Sequence, residues 1–124
     1  MRYILVVEDD SSIRQMLVGA FEAEGYPVRE ASNGEGALAL LRRERPDLII
    51  TDLLMPAMDG LEFLRELPLA MDEPPPVLVL SAVYRKAQVR AAIGDAEFLP
   101  KPFDMDEFLE KVSRLTGRPE HGPA

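Results

Sequence analysis

Hydrophobic and polar residues along the chain alternate in a way that predicts strands and helices in turn. Residues 3–7 form an uninterrupted apolar run rich in β-branched side chains, which is typical of a strand buried on both faces. Apolar residues then recur at helical spacing as far as Gly25, and Ser11 or Ser12 could cap this helix. A polar-faced edge strand at 27–31, a helix after Asn33-Gly34 and a buried strand at 47–51 follow.

The same alternation continues through the C-terminal half. The pattern predicts a short helix over residues 61–67, a fully apolar strand over 77–80 and a weaker helix over 84–93. A short strand at 97–99 and a final helix capped by Asp104 complete the series. Five strands alternating with five helices predict an α/β fold, a doubly wound sandwich with a parallel sheet, in which the apolar first, third and fourth strands are central.

Length and composition limit the chain to one ordinary domain. It has 124 residues, of which 47% are hydrophobic, and 22 acidic against 14 basic residues give a net charge of −8. This charge argues against direct contact with nucleic acid or an anionic membrane. The lack of cysteine excludes disulfides and thiolate sites. With no apolar span and no signal sequence, we expect a cytoplasmic domain over residues 1–116 and a disordered tail or linker stub over 117–124.

Charged and hydroxyl side chains come directly after four of the predicted strands. Glu8 and Asp9 follow the first strand, Asp52 the third, Ser81 the fourth and Lys101 the fifth. Because the carboxyl ends of parallel strands meet at one edge of the sheet, we expect these side chains to converge. Clustered carboxylates without histidine or cysteine suit a hard cation, above all Mg²⁺, and a lysine with a hydroxyl suits a phosphate-like anion. The set contains the parts for phosphoryl transfer to a carboxylate nucleophile.

Four motifs at these strand ends resemble the receiver domain of bacterial two-component response regulators, the chemotaxis-regulator-like family. They read Ile-Leu-Val-Val-Glu-Asp-Asp (4–10), Asp-Leu-Leu-Met-Pro-Ala-Met-Asp-Gly (52–60), Leu-Ser-Ala (80–82) and Phe-Leu-Pro-Lys-Pro-Phe (98–103). They occur in order, and the similarity extends over about residues 2–116. The resemblance implies the flavodoxin-like receiver fold, a (βα)5 sandwich whose five-stranded parallel sheet has the order 2-1-3-4-5.

The resemblance also implies which residues carry out the chemistry. Asp52 would be the phosphoacceptor, taking the phosphoryl group from a sensor histidine kinase or phosphotransfer protein. Glu8, Asp9, Asp52 and the backbone carbonyl of Leu54 would bind Mg²⁺. Lys101 would pair with the phosphoryl oxygens. Such a domain catalyses only its own phosphorylation and dephosphorylation.

A second set of roles implied by the resemblance concerns the change of state. Ser81 would hydrogen-bond the phosphoryl group and move toward it, Phe98 would turn inward as Ser81 moves, and the Lys101–Pro102 bond would be cis. The partner on the output side would be an effector domain or a downstream protein, and phosphorylation could also produce a homodimer.

Each of these residues has a simpler interpretation when taken alone. Asp52 could be a turn residue, residues 8–10 a solvated acidic run or a helix cap, and Phe98 a permanent core residue. The combination of four motifs outweighs these interpretations. His121, the only histidine, lies in the predicted tail and is not expected to transfer phosphate.

Two side chains near the predicted site are unable to orient a water molecule. Leu54 and Val83 stand at positions that in the family border the path of the hydrolytic water, and neither can hydrogen-bond it. We therefore expect slow autodephosphorylation. The interval between Ser81 and Lys101 also looks shorter than in many relatives, which could alter the fourth helix and the usual output face.

Three other functions fit the residues of this chain less well than the receiver interpretation. A Mg²⁺-dependent aspartyl-phosphate phosphatase typically has a second aspartate two residues after the nucleophile, where this chain has Leu54. A flavodoxin-like cofactor site needs a phosphate loop after the first strand, where this chain is acidic. A pseudo-receiver that only binds a partner is disfavoured because no core residue of the site has been lost.

Overall fold

A computed structural model describes residues 3–52, 63, 65–67, 73, 75–81 and 96–117, with Ser81 described by its backbone alone. The strands are β1 (Ile4–Val7), β2 (Val28–Ala31), β3 (Leu48–Asp52), β4 (Val77–Ser81) and β5 (Glu97–Pro100). The helices given bounds within these ranges are α1 (Ser11–Ala23), α2 (Gly34–Leu41) and α3 (Met105–Thr116). Residues 63 and 65–67 are helical, inside the predicted third helix. The predicted fourth helix and residues 118–124 lie outside the described residues.

All five strands form one parallel sheet in the order β2-β1-β3-β4-β5. The predicted doubly wound α/β class and strand order are therefore confirmed. The register aligns Val7 of β1 with Thr51 of β3, and Asp52 with Leu80 of β4. At the other side, Ser81 is level with Pro100 of β5. Residues that follow these strands consequently emerge along the same carboxyl edge.

Alternate residues of the central strands point to opposite faces of the sheet, and each face is covered by helices. The first core cluster lies on the α2 side and contains Tyr3, Leu5, Val7, Ala31, Ala37, Leu38, Leu41, Ile49, Phe63, Leu67, Val77, Val79 and Ala96. The second core cluster lies on the side of α1 and α3 and contains Ile4, Val6, Leu17, Phe21, Tyr26, Leu48, Ile50, Leu78, Leu80, Leu99, Phe108 and Val112. Burial on both faces explains why β1 is apolar throughout and why β3 and β4 are apolar until their carboxyl ends.

Short polar side chains begin the three helices. Asp10 Oδ1 accepts a hydrogen bond from the Ile13 N–H at 3.0 Å, so Asp10 caps α1. The prediction of Ser11 or Ser12 is wrong, and the alternative of a helix cap within residues 8–10 is confirmed for Asp10. The carboxylate has the further advantage of a negative charge at the positive end of the helix. Asn33 caps α2, and Asp104 caps α3 as predicted.

The connections after two helices need a left-handed backbone conformation. Gly25, which follows α1, has a φ of +83°, and Gly117, which follows α3, has a φ of +72°. Both are positions where a side chain would be strained. In the described ranges, no helix is both long and apolar enough to cross a membrane.

Candidate functional site

The candidate site lies at the carboxyl edge of the sheet, where β1, β3 and β5 end. Glu8 directly follows β1, Asp52 is the last residue of β3, and Lys101 directly follows β5. Because β4 separates β3 from β5 in the sheet, the Lys101 side chain must extend across the end of β4 to reach the other two. Its length allows this, and the structure brings three of the predicted site residues together.

Lys101 is the centre of the ionic contacts at this edge. Its Nζ atom donates a hydrogen bond to Asp52 Oδ2 at 2.6 Å and lies 3.6 Å from Glu8 Oε1. The first distance is a short charge-assisted hydrogen bond, whereas the second is an ion pair without a hydrogen bond. Burial alone would lower the pKa of Lys101, but the hydrogen bond and charge of Asp52, together with Glu8, raise the pKa above its usual value.

Glu8 is the most deeply buried charged group of the site, with a side chain only 3% exposed. Oε2 accepts a hydrogen bond from the Asp10 N–H at 3.2 Å. Oε1 has no hydrogen-bond partner among the residues that the structure describes. Burial raises the pKa of Glu8 to about 7, and the charge of Asp52 adds to this effect, while the Asp10 N–H and Lys101 oppose it. A further cation nearby would favour the charged form of this carboxylate beyond what Lys101 already does.

The donor chemistry at this edge fits Mg²⁺. Glu8, Asp9 and Asp52 offer only oxygen atoms, which hard cations prefer, and Glu8 Oε1 is a buried acceptor without a hydrogen bond from any described residue. Within the described ranges, no three acidic or histidine side chains form a complete metal site as they stand. The fourth predicted ligand, the carbonyl of Leu54, lies outside those ranges.

The other predicted residues are placed as follows. The backbone of Ser81 ends β4 beside Pro100, and its side chain is outside the description. Phe98, on β5, is half-buried and packs against the first core cluster. The Lys101–Pro102 peptide bond is cis. Val83 lies outside the described residues.

Sequence reasoning missed Arg14, which contacts the backbone of the acidic loop. Its Nη1 donates to the Glu8 carbonyl at 2.8 Å, and its Nε donates to Glu30 on β2, also at 2.8 Å. The only signal was a basic residue in the first turn of α1, where the helix dipole favours acidic residues. At this position the side chain has its partners in the acidic loop and on β2.

Fold and site together define a class: doubly wound α/β domains with an acidic carboxyl edge and a lysine that contacts the acidic groups. A family model for the response regulator receiver domain matches residues 4–113. The chain belongs to this family and is a receiver domain of a two-component response regulator.

Curated relatives and solved structures agree with this assignment. The chain is 39% identical over 124 residues to the response regulator MprA of Mycobacterium sp. (strain KMS), an alignment that covers 97% of this chain and 54% of the relative. For MprA of Mycobacterium leprae (strain TN), identity is 38% over 117 residues, with 93% and 51% covered. The chain thus spans about half the length of these relatives.

Two solved structures illustrate the similarity of the fold. The chemotaxis protein CheY4 of Vibrio cholerae has a TM-score of 0.80 at 34% identity, covering 93% of this chain and 98% of that one. TrrA of Thermotoga maritima, solved in complex with Mg(2+)-BeF, has a TM-score of 0.80 at 35% identity, covering 93% and 99%.

Proposed function

We propose that Asp52 accepts a phosphoryl group from a phosphohistidine of a sensor histidine kinase or phosphotransfer protein. The observation that carries this proposal is the 2.6 Å contact between Asp52 Oδ2 and Lys101 Nζ at the carboxyl edge of the sheet. Asp52 is also the more accessible of the two carboxylates that Lys101 contacts, since its side chain is 13% exposed against 3% for Glu8. A donor can therefore reach Asp52 from outside.

The proposed transfer exchanges one bond to phosphorus for another. An Asp52 carboxylate oxygen forms the new O–P bond as the N–P bond to the donor imidazole breaks, and the imidazole nitrogen keeps the electron pair and takes up a proton. Lys101 stands beside the attacking carboxylate, where its charge can pair with the phosphoryl oxygens. Ser81 ends the strand between Asp52 and Lys101, so we assign its hydroxyl the role of a second donor.

We propose that Glu8, Asp9, Asp52 and the Leu54 carbonyl hold Mg²⁺ for this reaction. Bound Mg²⁺ would neutralise charge on the transferring group. Glu8 contributes a carboxylate whose position is set by burial and by the Asp10 N–H. The complex of the relative TrrA with Mg(2+)-BeF supports the same cofactor for this chain.

The proposed output is a change in a partner-binding surface. Phosphorylation adds negative charge at Asp52, and Lys101 would then pair with the phosphoryl oxygens as well as with Asp52. We assign Ser81 and Phe98 the relay from this change to an effector domain, a downstream protein or a second copy of the chain. Phe98 is suited to this role because it is half-buried at the edge of the first core cluster. The net charge of −8 argues that this cytoplasmic domain does not itself bind nucleic acid or membranes.

The test is phosphorylation by acetyl phosphate and Mg²⁺, followed by intact mass. The wild-type protein should gain one phosphoryl group, Asp52→Asn should gain none, and EDTA should prevent the gain. Asp47→Asn is the matched control, because Asp47 precedes β3 at the opposite edge of the sheet and should not affect labelling. An adduct that persists in Asp52→Asn would overturn the proposal. Continuous phosphate release without an adduct would instead indicate a phosphatase.

A further inference from the structure

The guanidinium group of Arg14 joins α1 to the ends of β1 and β2 next to the site. Nη1 donates to the Glu8 carbonyl at 2.8 Å and lies 3.5 Å from the Asp9 carbonyl, while Nε donates to Glu30 Oε1 at 2.8 Å. The Arg14 side chain is 16% exposed and its bond to the Glu8 carbonyl is partly buried, whereas Glu30 is 47% exposed and lies at the surface. One planar group therefore connects three segments of the chain.

The Arg14 contact completes the hydrogen bonding of the Glu8 backbone. Its N–H donates to the Ala31 carbonyl at 3.0 Å, and its carboxylate accepts from the Asp10 N–H at 3.2 Å. Arg14 supplies the donor for the other backbone group, the Glu8 carbonyl. The backbone that carries Glu8 and Asp9 is thus held from β2, from within the loop and from α1.

The charge of Arg14 by itself would oppose a cation at this edge. A positive group beside a proposed Mg²⁺ site repels the ion. What Arg14 offers is geometry, since the bond from Nε to Glu30 fixes the plane of the guanidinium and hence the direction of Nη1. A lysine has the same charge but cannot make both bonds in a fixed fork.

We infer that Arg14, oriented by Glu30, is a positioning residue that fixes the acidic loop of residues 8–10 for cation binding. This inference rests on the proposed function. It assigns a role in that function to a side chain that touches neither the phosphoryl group nor the ion.

The test compares the wild type with Arg14→Lys, Arg14→Gln and Glu30→Gln, all confirmed as folded by circular dichroism. Arg114→Lys is the matched control. Arg114 lies on α3 and forms a surface ion pair with Glu97 of β5 at 3.6 Å. Mg²⁺ affinity is measured by titration calorimetry. Hydrogen exchange of the Asp10 amide, measured without metal, reports the order of the loop.

Arg14→Lys should weaken Mg²⁺ binding about tenfold, the usual effect of losing a group that orients a metal ligand. It should also speed exchange of the Asp10 amide, and Arg114→Lys should change neither quantity. Glu30→Gln should act in the same direction with a smaller effect, and it keeps the test decisive if the Arg14 variants do not fold.

Three results would overturn the inference. If Arg14 acts through its charge alone, Arg14→Gln should bind Mg²⁺ more tightly than the wild type, and Arg14→Lys should bind it with unchanged affinity. A purely structural role predicts a lower unfolding temperature with unchanged Mg²⁺ affinity and Asp10 exchange in the folded state. Failure of the wild type to bind Mg²⁺ or accept phosphate defeats the proposed function too, whereas a competent wild type with an unaffected Arg14→Lys defeats only this inference.

Discussion

Glu8 is expected to make the metal-free protein less stable as the pH rises toward neutrality. Burial, reinforced by the charge of Asp52, raises the pKa of Glu8 from 4.5 to about 7 in the folded state. Between these values the folded protein binds a proton that the unfolded chain has released, so the free energy of unfolding increases as the pH falls from about 7 to about 4.5. The loss of stability caused by ionised Glu8 is therefore complete well above pH 7 and absent below about pH 4.5.

The size of the effect follows from the change in pKa. At about 1.4 kcal/mol for each tenfold change in proton affinity, ionised Glu8 lowers the free energy of unfolding by up to about 3 kcal/mol above pH 7. Glu8→Gln cannot ionise but keeps an oxygen to accept the Asp10 N–H. The difference in stability between variant and wild type should therefore shift in favour of the variant by up to about 3 kcal/mol between pH 4.5 and pH 8.

The assay is urea unfolding, followed by circular dichroism from pH 4.5 to pH 8.5 in EDTA. Groups that titrate normally contribute equally to both proteins and cancel in the difference. Glu110→Gln, which removes an exposed carboxylate on α3, is the control and should run parallel to the wild type. Saturating Mg²⁺ should raise the stability of the wild type at pH 8 more than that of Glu8→Gln.

One result would refute this reasoning directly. If wild type and Glu8→Gln show the same change in stability between pH 4.5 and pH 8, Glu8 has an ordinary pKa in the folded state. Its carboxylate would then be compensated in the metal-free protein, and the physical argument for a missing cation would lose its main support.

Two further predictions concern the core and the lifetime of the phosphorylated state. Phe108→Ala should lower the free energy of unfolding in urea by about 3–5 kcal/mol. Phe108 is fully buried, and its ring packs on Phe21 and Phe103 at centroid distances of 5.4 and 5.2 Å. A loss of stability below about 1 kcal/mol would contradict this prediction. Leu54→Asn should speed the loss of the intact-mass phosphate adduct, since an amide can orient a water, and an unchanged decay rate would show that position 54 does not limit hydrolysis.

Much of the fold could be predicted because burial imposes a simple pattern. A strand covered on both faces is apolar along its buried length, as in β1 and in residues 77–80 of β4, whereas the edge strand β2 keeps polar residues. The cap of α1 was harder to predict. Asp10, Ser11 and Ser12 can all cap a helix, and the choice depends on where the loop from β1 enters α1.

The residue types of the site were also accessible from the sequence, because Glu8, Asp52 and Lys101 each stand at a strand end. Their contacts were not. Asp52 and Lys101 are 49 positions apart in the sequence. They meet because the sheet leaves only β4 between their two strands and because the lysine side chain is long enough to cross the end of β4. Ion-pair distances depend on such placements and leave no trace in local pattern.

By itself, the sequence determined the elements, the parallel α/β class and the chemical groups at the carboxyl edge, since hydrophobic periodicity and strand-end chemistry are local properties. Tertiary structure alone decided that Glu8 is buried with one oxygen lacking a hydrogen-bond partner among the described residues, and that Arg14 and Glu30 hold its backbone. Burial and hydrogen-bond direction depend on elements brought together from distant parts of the chain. The electrostatic state of the site is therefore a property of the fold.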